Sequence, residues 1–149
     1  MPHSPTNEYV KSVNNLSTEA ALELAKRISK AASTKNKNVS IALLDASGTT
    51  ILLLRGNGVG PHNTEASRRK AYTALSTKTP TLLLLRNAEN NPDTKNLNSL
   101  PELLLLGMPI WYKGEIIGSV GVSGGGSPDN DHWIAQSASI PEIGITTTK

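Results

Sequence analysis

Apolar positions recur along this chain in blocks of changing period, and each block predicts an element. Ala21, Leu24, Ala25, Ile28 and Ala32 follow one another at intervals of three, one and four, the spacing that lines one face of an α-helix. Ser17 or Thr18 can cap that helix and Glu19 suits the positive end of its dipole, so a helix ending near Thr34 is predicted. Beyond the polar connector 35–38 the pattern shortens. Residues 39–45 and 49–55 are brief apolar runs separated by Ala46-Ser47-Gly48, which predicts an antiparallel hairpin whose turn uses the glycine.

A Gly- and Asn-rich loop, 56–63, precedes a second helix over 64–75, with Thr64 as the expected cap. Its face of Ala66, Lys70, Thr73 and Ala74 is small and carries a lysine, a face that a helix, a second subunit or a ligand would have to cover. A short helix is expected over 81–86, followed by a polar loop over 87–98. Residues 107–112 and 115–123 predict a second hairpin turning at Lys113-Gly114, and Ser127-Pro128 starts a last helix reaching about Ser139. The organisation expected is a loose arm to residue 15, one domain over 16–140, and a tail over 141–149 that frays or packs on a neighbouring chain. Helix, two strands, helices, two or three strands and a helix, in that order, point to an α+β domain with a central antiparallel sheet flanked by helices.

Composition narrows the chemistry. With 149 residues one core is expected, and the absence of Cys removes disulfides, thiolate metal sites and cysteine nucleophiles. The net charge of +3 has no dense stripe beyond Arg68-Arg69-Lys70 and the Lys35/Lys37 pair, and the chain has no Phe, so nucleic acid is not the expected partner. No segment has the length and apolarity of a membrane span and the first residues carry no leader pattern, which predicts a cytoplasmic protein without membrane contact.

Several separated blocks resemble one family. Residues 39–48, Arg55 with Asn57-Gly58, Arg69-Lys70-Ala71-Tyr72-Thr73-Ala74 and Pro80-Thr81 resemble the front half of the GlcG/HbpS family. Gly107-Met108-Pro109-Ile110, residues 114–125 and Asp131 resemble its back half, so the likeness runs from about Ser17 to Ala138. It implies a profilin-like subunit, assembly into homo-oligomers, and kinship with haem-binding proteins and with the haem-binding domain of PduO. Two departures stand where a pocket is expected. Leu106 replaces the first of the paired glycines before Pro109, and the glycine block is one residue longer ahead of Asp131.

His62 is the candidate haem-iron ligand and also a candidate acid or base, because neutral imidazole serves both purposes near neutral pH. Arg69 and Lys70 are candidates to pair with propionates or a substrate carboxylate. Ser123, Gly124 and Gly125, with Gly107 nearby in the expected fold, offer backbone N–H groups to an anion, and Asp131 is a candidate proton acceptor in the same pocket. Asp45 and Arg55 are expected to form a structural ion pair. The leading reading is a haem or tetrapyrrole binder; the alternatives are a cofactor-independent isomerase, cyclase or lyase using Lys70, His62 and Asp131, or a purely structural oligomeric module. The apolar runs 103–110 and 116–122 motivate the oligomer.

Overall fold

The computed structural model describes residues 8–78 and 107–149. The short helix expected over 81–86, the polar loop after it and Leu106 lie outside these residues. Helix α1 (Thr18–Ser33) begins as its sequence predicts, with the Ser17 side chain accepting from the Ala20 amide, and it buries Ala21, Leu24, Ala25, Ile28 and Ala32. Strands β1 (Ser40–Asp45) and β2 (Thr50–Arg55) form the antiparallel hairpin, followed by α2 (Pro61–Thr77), β3 (Gly107–Tyr112), β4 (Glu115–Ser123), α3 (Pro128–Ala135) and β5 (Ile145–Thr146). The sheet is antiparallel throughout, in the order β2-β1-β4-β3-β5.

Alternation along β1 sorts the layers. Ile41 and Leu43 join a core containing Leu24 and Ile28 of α1 and Ile134 of α3, while Ala42 and Leu44 face the other way and meet Ala71 of α2. The result is α1 and α3 on one face and α2 on the other. On the α2 side the surface is made mostly of small residues, with Leu44 the large exception. Ser119 Oγ of β4 donates to the Ala71 carbonyl of α2 at 2.7 Å and Ser67 Oγ of α2 donates to the Ser40 carbonyl of β1 at 2.9 Å, so each element's hydroxyl is tied to the other's backbone.

The contact is close because Gly107 and Gly121 sit opposite each other on β3 and β4. A Cβ on Gly121 would lie 1.9 Å from the Ser67 carbonyl oxygen, and one on Gly107 would lie 2.3 Å from that of Lys70. The space above Gly107 is thus taken by α2, not left for a ligand. The lysine-bearing face of α2 is likewise covered by the chain's own sheet, with Ser67, Lys70, Ala71, Thr73 and Ala74 buried.

Four local expectations are revised. Helix α2 starts at Pro61 behind Gly60, which contributes no side-chain cap, and Thr64 lies inside it with its hydroxyl 3.2 Å from that of Ser40. Helix α3 stops at Ala135, short of Ser139. The tail does not fray: after a 3₁₀ turn over Pro141–Ile143 it adds β5 to the edge of β3, pairing Trp111 with Thr146. Asp45 and Arg55 stand at opposite ends of their hairpin, since Arg55 pairs with Ser40 across the strands.

Asp45 instead builds the turn. Its Oδ1 accepts from the amides of Ser47 and Thr49 and from the Ser47 hydroxyl. Desolvation opposes the charge there, but these hydrogen bonds outweigh it and hold the carboxyl below the usual range.

The glycine seat of α2 gives a direct prediction. Gly121→Ala should destabilise the domain by about 3 kcal/mol or more, because the new methyl meets helix backbone that cannot swing aside. Gly114→Ala, at a turn glycine with open space around its Cα, should cost only about 1 to 2 kcal/mol for its left-handed φ of +78°. Urea unfolding midpoints of the two variants test that order.

Candidate functional site

Lys70 projects from the middle of α2 past the last described pair of the β3–β4 ladder, Gly107 with Gly121. There its Nζ donates to the Val122 carbonyl at 2.9 Å and to Asp131 Oδ2 at 3.0 Å. Asp131 Oδ1 accepts from the Gly125 amide at 2.7 Å. Both charged side chains are only 9% exposed. One ion pair therefore joins α2, the end of β4, the glycine turn and the first turn of α3.

The sequence elements explain why Asp131 arrives there. Ser127 caps α3 by accepting from the Asn130 amide, Pro128 occupies the first helical position, and the acids of the first turn face the positive helix end. Asn130 Nδ2 donates back to the Gly125 carbonyl at 3.0 Å, which folds the turn onto the helix. Ser123 Oγ donates to Asn63 Oδ1 at 2.8 Å, so the turn is also attached to the first part of α2. Gly124 packs beside the Asn38 carbonyl and Val59, and Asn38 Nδ2 donates to the Asn57 carbonyl. Three loops, 34–39, 56–60 and 123–127, thus meet at one end of the sheet.

Of the candidate residues, Lys70, Asp131, Ser123, Gly124 and Gly125 converge at this loop end. Lys70 and Asp131 face each other and not open space, and the Gly125 amide already holds an anion, the Asp131 carboxylate. His62 lies at the rim, exposed, in the first turn of α2. Its ring rests on the Gly60 backbone: a Cβ at Gly60 would come within 2.8 Å of Cε1 and 2.9 Å of Nδ1, whereas Nε2 stands 3.9 Å away. Arg69 is directed elsewhere on α2, with its Nε donating to Glu65 Oε1 at 3.2 Å. Arg68 donates to the same carboxylate at 2.8 Å, and this bond, with the lesser help of Arg69, holds the Glu65 carboxyl below its ordinary range. The basic run is consequently divided between two partners.

Sequence reading missed four participants. Asn63 and Ser67 on α2 and Ser40 on β1 are ordinary polar residues with no spacing signal. Gly121 had one, since a glycine inside an apolar strand marks a close backbone approach. On α3, Trp133 is exposed and carries Lys35 Nζ 4.6 Å above its ring.

A buried ion pair adds little net stability when intact, yet breaking it leaves a charge with no counterion in a dry place. Lys70→Met is accordingly expected to cost about 3 to 5 kcal/mol. Adding Asp131→Asn should recover much of that loss, because the asparagine oxygen still accepts from Gly125 and no isolated charge is left. Chemical denaturation of the two single variants and the double variant measures the coupling.

A family model described as haem degrading protein HbpS-like matches residues 16–139. A double mutant of Streptomyces reticuli HbpS has 32% identity to this chain and a TM-score of 0.77, covering 93% of this chain and 94% of its own. The Klebsiella pneumoniae protein ORFY is 27% identical with a TM-score of 0.82, covering 91% and 94%. A PduOC:heme complex is 28% identical with a TM-score of 0.80, covering 91% and 99%. The family match takes in α1 to α3 and every residue of the ion-pair network, and the chain belongs to the HbpS-like family.

Proposed function

We propose that this chain binds haem or a closely related tetrapyrrole, with the His62 imidazole as the protein ligand to iron. The observation that carries the reading is a haem complex of the same fold, matched over nearly the whole chain, within a family described by haem chemistry. The residues of the loop end fit such a ligand. His62 presents an exposed imidazole, seated on a glycine whose Cβ would displace the ring, with Nε2 the ring nitrogen farther from that backbone. Gly58, in the loop that leads into α2, has nothing within 4 Å of its Cβ direction, so that loop offers low relief to a planar macrocycle. Lys37, whose Nζ would lie 3.3 Å from a Cβ on Gly126, offers a cation to a propionate at the same end.

In this reading haem supplies the iron chemistry when bound, and the chain supplies position. The Lys70–Asp131 pair is a scaffold that fixes the glycine turn and α3 relative to α2. Arg69, held by Glu65, is a secondary candidate for a propionate. The chain acts as a homo-oligomer in the cytoplasm, although the apolar strands that suggested assembly bury Met108, Ile110, Val120 and Val122 inside the single chain. Among the described residues no helix is long and apolar enough to cross a membrane.

Titration with hemin tests the reading. The wild type should give a saturable Soret shift, and His62→Ala should weaken binding by more than about tenfold, as loss of even an outer-shell partner commonly does. Absence of any saturable shift in the wild type removes the haem reading. Equal binding by the alanine variant removes His62 from it.

A further inference from the structure

One cavity lies away from His62. It has a volume of about 550 Å³, within the range of roughly 300 to 1,000 Å³ of small-molecule sites, and lies between the C-terminal end of α2 and the β3–β4 turn. Leu75, which lines it, follows His62 by thirteen residues on one helix, about 20 Å along the axis. Val13, Leu75, Trp111 and Ile116 give it an apolar wall, and Lys78, Lys149 and Glu115 bring charge.

Two backbone irregularities converge on this hollow. Lys78 closes α2 in the left-handed conformation, φ +57°, where glycine is the residue without steric cost. The β3–β4 register slips between Ile110 and Trp111, so that Ile117 has no register partner on β3, its carbonyl accepting instead from the Leu16 amide, and Trp111 sits opposite Ile116. A bulge of this kind re-aims side chains, and strained backbone gathers at binding sites more often than elsewhere. A second, smaller cavity of about 270 Å³, by contrast, is lined by no ionised side chain.

The charges select the ligand class. Lys149 Nζ lies 5.5 Å from the centre of the Trp111 ring, holding an ammonium on the aromatic wall. Glu115 is already engaged, its Oε2 accepting from Asn14 Nδ2 at 3.1 Å. Two ammonium groups against one committed carboxylate favour an anion, and the indole and aliphatic walls favour a flat apolar body. We propose that this cavity is a second binding site, separate from His62, for a small aromatic carboxylate whose ring packs on Trp111 and whose charge meets Lys78 and Lys149.

The probe is 2-naphthoate, with uncharged 2-naphthamide as its control, followed by ¹H–¹⁵N NMR of the full chain. The carboxylate should give saturable shifts at the Trp111 indole and the Gly114 amide, and the amide should bind about tenfold more weakly, the effect of one charge-assisted hydrogen bond. Lys78→Gly separates binding from folding, because glycine suits a left-handed φ. That variant should melt at the same temperature or higher and still lose about tenfold in affinity for 2-naphthoate. His62→Ala should leave the naphthoate titration unchanged, whatever hemin does. No saturable shift, shifts confined to another surface, equal binding of the amide, or unaltered affinity in Lys78→Gly would each overturn the proposal.

Discussion

A lysine and an aspartate separated by sixty-one residues share one buried contact, and the loop end of the molecule is organised around it. Neither charge could occupy that place alone, because desolvating an unpaired ion is far more costly than any single hydrogen bond returns. The pair is tolerated because each member has a second partner, the Val122 carbonyl for Lys70 and the Gly125 amide for Asp131. Those partners belong to different elements, so the same contact that neutralises the charges also fixes where β4 ends and α3 begins. Its role is placement more than net stability.

That placement depends in turn on how near α2 can come to the sheet. Lys70 reaches Val122 only because the helix backbone rests on Gly107 and Gly121, and because Ser67 and Ser119 replace bulky side chains with hydrogen bonds to backbone. A strand of large residues would lift the helix and carry the ammonium away from its carbonyl. Mostly small residues on one face of the sheet, Leu44 apart, and large aliphatic ones on the other, Leu24 and Ile28 against Ile41 and Leu43, thus have separate purposes: approach on one side, apolar burial on the other.

Much of this was legible from residue pattern. The α1 stripe, the Gly48 turn and the Lys113-Gly114 turn encode themselves locally, and the family likeness joined them into the right sheet. The start of α2 was not legible, since Gly60 caps without a side chain while Thr64 imitates a cap. Nor was β5, for two residues cannot display a period. The site was half legible. Lys70, Asp131 and the glycine turn each stood out as chemistry, and the turn was expected to hold an anion. That its anion is the chain's own Asp131 is a long-range fact with no local trace. Lys78 and Trp111 gave no signal, because a left-handed φ and a strand bulge arise only from the assembled backbone.

The central claim is that the ion pair clamps the glycine turn into the folded core. Native-state hydrogen exchange at the Gly125 amide reads that clamp directly, since this amide lies in a turn and, among the described residues, its hydrogen-bond acceptor is Asp131. The account predicts exchange as slow as that of the β4 amides, opening only with global unfolding. Exchange at the rate of an exposed loop amide would show that the turn opens freely and that the clamp does not organise this end of the protein.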